Sequence, residues 1–174
     1  MKLSSKSILL RLIEESDAEF VLTLRLDENY SRHLSSVVSD IEVQRSWIRN
    51  YKSDEAAGLQ YYFIIERLDG VPCGTVRIYD IRDNSFSWGS WILNEDKTRY
   101  AAIESSFLIY QFGFEHLGFT KCHFDVRKEN TKVISFHEKM GAYRTGETDL
   151  DILFEITPSL VALSKEKLAS KLLS

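Results

Sequence analysis

A chain of 174 residues is long enough to bury roughly 70% of its unfolded surface in one core, and 44% hydrophobic with 28% charged residues excludes disordered, collagen-like and low-complexity chains. A net charge of −4 without a long run of one sign excludes the basic footprint of a duplex-DNA binder, so no nucleic-acid partner is expected. Two cysteines, Cys73 and Cys122, without a CxxC pair, exclude a disulfide framework and a zinc knuckle, which makes the reducing cytoplasm the expected compartment.

The chain opens with Met1 to Arg11, whose only apolar run, Ile8-Leu9-Leu10, is too short for a signal-peptide core or a membrane span. Residues Ser7 to Ile13 read as a first strand. Ser16-Asp17-Ala18-Glu19 reads as a capping box opening a helix with Phe20, Val21 and Leu24 on one face. After the polar stretch Asp27 to Ser36, Ser39-Asp40-Ile41-Glu42 is a second box, opening a helix that carries Val43, Trp47 and Ile48. From Leu59 the period becomes that of strands: QYYFIIER, a turn at Leu68-Asp69-Gly70, CGTVRIYDI, a turn at Asp83-Asn84, and FSWGSWIL make an antiparallel meander.

Beyond a polar loop at 94–99, Ile103, Phe107, Tyr110, Phe114 and Leu117 recur at helical spacing and Gly118 marks the stop. KCHFDV is again a strand, Thr131 to Met140 a short helix closed by Gly141, and Tyr143 to Ile156 a hairpin turning near Thr148 to Leu150. Pro158 opens a terminal helix with Leu160, Leu163, Leu168 and Leu172. No linker or repeat interrupts the series, so residues 1–174 are expected to form a single domain, with 158–174 as a C-terminal helical extension. The order gives an α+β fold (α/β mixed), a mixed, mostly antiparallel sheet of about seven strands flanked by helices.

That order and four segments resemble the GNAT N-acetyltransferases, in particular the branch holding ribosomal-protein and aminosugar acetyltransferases, over residues 8–156. The segments are LLRLIEESDAEFVLTLR, GTVRIYDI with FSWGSWIL, AAIESSFLIYQFGFEHLGFTKCHFDV, and VRKENTKVISFHEKMGA. The last follows the family's V-x-x-x-N-x-x-A-x-x-x-Y-E-K-x-G-F closely. The resemblance implies acetyl-CoA as co-substrate, no metal, a primary amine as acceptor and direct attack on the thioester. It implies a cofactor arm lying like a substitute strand against Trp91, Ile92 and Leu93, and phosphates at the loop Lys97-Thr98-Arg99-Tyr100-Ala101-Ala102, where helix-terminal amides would hold them. Tyr100 stands where the family has a glycine, so its ring must point away or weaken binding.

By the same resemblance Asn130 contacts the cofactor arm, with Phe136 beside it, although Asn130 also suits a plain helix cap. His137 stands where relatives carry a tyrosine that protonates the departing thiolate, and a backbone amide near Trp91 or Ile92 would steady the oxyanion. Many relatives have a glutamate base on the fourth strand; FSWGSW has none, which leaves Asp80, Glu66, Asp151 and His137 as candidates, with His137 and Asp80 preferred. Arg25, Arg77 and Trp88 are the candidate acceptor-binding residues. Convergence of some of Arg25, Arg32, Arg45, Arg49 and Lys52 on the cleft would grip the diphosphate of a nucleotide-linked aminosugar. A protein N-terminus, a polyamine, or a non-catalytic CoA-binding module of the same fold are the alternatives. Family members often dimerise, and the terminal helix could join such an interface or pack on its own domain. His33, His116, His123 and His137 lack the spacing of zinc ligands.

Overall fold

A computed structural model describes residues 1–34 and 36–169 of the chain; Leu172, in the terminal helix read from sequence, lies outside the described residues. Among them, eight strands run in the order β1-β2-β3-β4-β5-β6-β8-β7. These are β1 (Lys2–Ser4), β2 (Ile8–Leu12), β3 (Tyr61–Arg67), β4 (Pro72–Tyr79), β5 (Ser85–Leu93), β6 (Lys121–Arg127), β7 (Tyr143–Glu147) and β8 (Asp151–Ile156). The helices are α1 (Ala18–Leu26), α2 (Glu28–Ser31), α3 (Ile41–Ala56), α4 (Ala101–Gln111), α5 (Thr131–Lys139) and α6 (Pro158–Lys167). The strand beyond the expected seven is β1, three residues pairing Leu3 with Leu10 at the sheet edge, too short to show a period.

Alternation along β3 sorts the layers. Phe63 and Ile65 join a core with α4 on one face of the sheet, while Tyr62 and Ile64 join Ile13, Val21, Ile48 and Tyr51 under α1 and α3 on the other. Each face of β3 therefore has its own helical cover.

Two expectations about helix starts are corrected. No Ser16 box forms: a 3-10 turn at Glu15–Asp17 precedes α1, and the Glu14 amide donates to Asp17 Oδ2 (2.8 Å), whose carboxylate also receives Arg11. At α3 the cap is Asp40, which accepts from the amides of Glu42 and Val43, and Ser39 lies outside it. The long helix changes to a π-helical segment at Phe112–His116 before Gly118, whose φ of +77° suits a residue without a Cβ. The terminal helix packs on its own chain. Leu160, Val161 and Leu168 lie against the main core, and Ser164 Oγ donates to the Met140 carbonyl.

Candidate active site

The middle of the sheet comes apart. β5 and β6 run parallel and share only two rungs, Ser85 with Lys121 and Phe86 with Cys122; from Ser87 onward β5 has ladder partners only on its β4 side. A bulge steepens the divergence. Thr75 pairs with Ile92 but Arg77 with Gly89, so Ser90 and Trp91 together face Val76. Ser90 takes φ +47°, and Thr75 Oγ1 donates to its carbonyl (2.9 Å). Gly74 is needed here, because a Cβ on it would lie 2.1 Å from the Ile92 carbonyl oxygen.

Two cavities meet in the gap at Trp91, Asn130 and Val133. One, of about 480 Å³, runs between Trp91, Ile92 and Leu93 of β5 and Asn130 with Thr131 at the start of α5. The Asn130 side chain makes no capping bond, so of the two roles read for it the helix cap is not formed. The loop after β5 leads into α4, where Glu104 N already bonds the Tyr100 carbonyl and Ala101 N the Thr98 carbonyl; the next two amides belong to a first helical turn without intrahelical partners. Lys97 and Arg99 are exposed beside that turn. Tyr100 has φ −109°, a conformation open to any residue, and its ring lies against the Arg99 guanidinium at 5.1 Å.

The loop is anchored from below. Buried Glu104 accepts from the Ser7 amide (2.7 Å) and hydroxyl (2.5 Å), and Ser7 Oγ also bonds Thr98 Oγ1 (2.7 Å). Phe136 lines neither cavity; its ring backs Trp91 at 5.2 Å and His137 at 5.6 Å.

The other cavity, of about 320 Å³, is lined by Arg25, Arg77, Trp88, Trp91, Asp125 and His137, with Tyr79 and Asp151 on its wall. His137 is 4% exposed amid Trp88, Trp91, Phe124, Phe136 and Phe154, the nearest ring centroid, that of Phe124, being 4.4 Å away. Burial pushes its pKa down to about 3, and its buried Nδ1 has no partner among the described residues, so at neutral pH it is an uncharged imidazole. An imidazolium acid for the leaving thiolate is not available there; the neutral ring can give or take one hydrogen bond.

Of the carboxylates read as bases, two are occupied elsewhere. Asp80 lines neither cavity: it sits past the end of β4 at φ +46°, bonded to His123 Nε2 (2.9 Å) and Arg82 (2.8 Å), and those bonds hold its carboxyl below the usual range. Glu66 receives Arg11 Nε (2.6 Å). Asp151 does reach the 320 Å³ cavity, where Arg127 Nε pairs with it at 3.1 Å. The carboxylate missed in the sequence is Asp125. It has no ion pair among the described residues, and although the residue is exposed overall, partial desolvation of its carboxyl against the cavity wall, then the charge of Asp151, push that carboxyl upward. Alternation in KCHFDV holds the signal, since Cys122, Phe124 and Val126 are buried and leave Asp125 on the open face.

The cations sort likewise. Arg77 lies over the rings of Tyr79 (4.8 Å) and Tyr62 (5.9 Å), close enough to Arg25 for that charge to join burial in lowering its pKa. Its Nε is buried without a hydrogen bond among the described residues. Arg45 pairs with Glu42, Arg49 with Glu15 and Lys52 with Glu55, all away from the cavities. Cys73 and Cys122 are fully buried, and burial raises the Cys73 thiol to about 11, so neither supplies a thiolate.

Residues 7–143 match the Acetyltransferase (GNAT) domain family. The chain belongs to the GNAT acetyltransferases. Apo FdhC, a nucleotide-linked sugar GNAT, is 48% identical over 99% of this chain and 98% of its own, with a TM-score of 0.90. The ribosomal-protein-S5-alanine acetyltransferase of Vibrio fischeri is 14% identical, over 90% of this chain and 96% of its own, with a TM-score of 0.78. RimJ of Mycobacterium smegmatis, solved with CoA-disulfide, is 18% identical over 94% and 88%, also at 0.78. The last two share the fold. Among curated protein sequences none matches significantly. GNAT enzymes take their acetyl group from acetyl-CoA, and the split in the sheet leaves β5 main-chain groups beyond Phe86 without partners on β6. Among the described residues no helix is long and apolar enough to cross a membrane, and no group of three or more His, Cys, Asp and Glu is placed to hold a metal ion.

Proposed function

We propose that this GNAT enzyme acetylates the primary amine of a nucleotide-linked aminosugar. The observation that carries this reading is the pair of neighbouring guanidiniums, Arg25 and Arg77, at the end of the acceptor cavity away from the cofactor gap. Arg77 is kept half-buried beside a like charge with no carboxylate partner among the described residues, an arrangement that costs free energy until an anion arrives. A diphosphate is the anion that fits. The same cations would disfavour a polyamine, and the 48% identity to a nucleotide-linked sugar GNAT points the same way.

In this reading acetyl-CoA supplies the thioester. The main chain of Trp91 to Leu93 and the Asn130 amide hold its arm, the α4 start with Lys97 and Arg99 takes its phosphates, and an amide at Trp91 or Ile92 faces the reacting carbonyl. Trp88 walls the sugar. Asp125 accepts the proton that the acceptor ammonium must lose, directly or through one water, and the adjacent cations make that ammonium easier to deprotonate. His137 remains neutral and orients a hydrogen bond.

The test is thiol release from acetyl-CoA, and from other short acyl-CoAs, across nucleotide-linked aminosugars, free aminosugars, peptide N-termini and polyamines. Turnover should be fastest with the nucleotide-linked sugars and fall at least tenfold when the nucleotide is removed. Faster turnover of a peptide or polyamine would sink the reading.

A further inference from the structure

Resting on the acceptor reading above, we propose that the slot between α1, α3 and β3 is a nucleobase site, in which Trp47 stacks on the base and Gln44 reads its edge. The slot, about 280 Å³, shares Arg25 and Arg77 with the acceptor cavity and lies beyond them. A molecule with its amine in the acceptor cavity and its diphosphate on those two cations would carry its next group into this slot.

The walls suit a flat heterocycle. Trp47 is locked by its neighbours, parallel to Tyr51 (5.6 Å, 4°) and edge-on to Tyr62 (5.6 Å, 77°), yet remains 37% exposed at the slot. A large ring held rigid and left open loses little entropy on stacking. Val21 and Val43 add apolar sides. Gln44 is 9% exposed, and its side-chain amide makes no hydrogen bond among the described residues. That side-chain amide, with a donor and an acceptor unspent at the slot wall, matches the mixed edge of a base.

The experiment is calorimetric titration of the whole enzyme, with CoA in excess so that the coenzyme's own nucleotide site is filled. UDP, TDP, GDP and ADP are compared with inorganic pyrophosphate. At least one nucleoside diphosphate should bind tenfold or more tightly than pyrophosphate. Trp47→Leu should remove about tenfold of that advantage while leaving pyrophosphate affinity and the KM for acetyl-CoA unchanged, and Gln44→Leu should alter the ranking of the four nucleotides. Should Trp47→Leu fail to fold, Trp47→Phe, which keeps a smaller ring, should lose part of the advantage. Equal binding of pyrophosphate and all four nucleotides, or an unchanged nucleoside preference in the Trp47 and Gln44 variants, overturns the slot. Nucleotide binding without turnover of any nucleotide-linked aminosugar sinks the acceptor reading instead and leaves the slot standing.

Discussion

Asp125 owes its fitness as a base to what surrounds it. Burial and the negative charge of Asp151 raise its pKa, and a raised carboxyl is a stronger proton acceptor once ionised. The rate should therefore rise with pH through that elevated value. Asp125→Asn should lower kcat by about 10²–10⁴-fold and flatten this acid limb, whereas Asp151→Asn, by removing a like charge, should shift the limb to lower pH. A pH–rate profile of the three proteins checks both. Arg77→Ala should raise the KM of a nucleotide-linked acceptor tenfold or more with the KM of acetyl-CoA unchanged. His137 gives a stability signature of its own. Its folded pKa of about 3 lies below the reference of about 6.5, so the unfolded chain binds the extra proton between those values. Stability should be fully present above about pH 6.5 and fall by roughly 1.4 kcal/mol per unit below it, and His137→Phe should lessen that slope in acid denaturation. The sequence placed His137, Arg25, Arg77, Trp88 and Trp91 together because they stand on recognisable segments. It gave no sign of Asp125 over Asp80: Asp125 lies inside β6 and Asp80 just past β4, and only the splay decides which one borders the cavity.

At the scale of elements, the bulge in β5 turns a plain ladder strand into the edge of a cleft. Its cost is carried by Gly74 and Thr75 on the neighbouring strand. Gly74→Ala should destabilise the fold by ~1–3 kcal/mol and weaken CoA binding, because the colliding Ile92 carbonyl belongs to the strand that lines the gap; urea unfolding and CoA titration measure the two effects. Period-two and period-3.6 patterns were enough to place nearly every strand and helix. The bulge was not legible, since FSWGSWIL alternates too weakly to mark where one residue is gained. Nor was the Glu104–Ser7–Thr98 anchor, which joins positions 97 and 91 residues apart in sequence. Tyr100 shows the limit of motif reading in the other direction. The backbone at that loop needs no left-handed residue, so replacing the family's glycine imposes no strain.

Across the whole molecule, the sheet consists of a five-stranded half, β1 to β5, and a three-stranded half, β6 to β8, whose shared ladder is the pair of rungs at Ser85 and Phe86. The clamp Ser85–His123–Asp80 crosses the same seam by side chains. Protein of this build without coenzyme has little main-chain material tying one half to the other. Amides of β6 and β8 should exchange with deuterium earlier than those of β3 and β4, and CoA at a hundredfold over its Kd should add about 2.7 kcal/mol of stability, measurable as a rise in Tm. Coenzyme seated in the gap as proposed would double as a structural tie, a mortar between two leaves. A cell depleted of acyl-CoA would hold a looser enzyme, cut sooner by proteases, so that the amount of catalyst follows the supply of its own acyl donor.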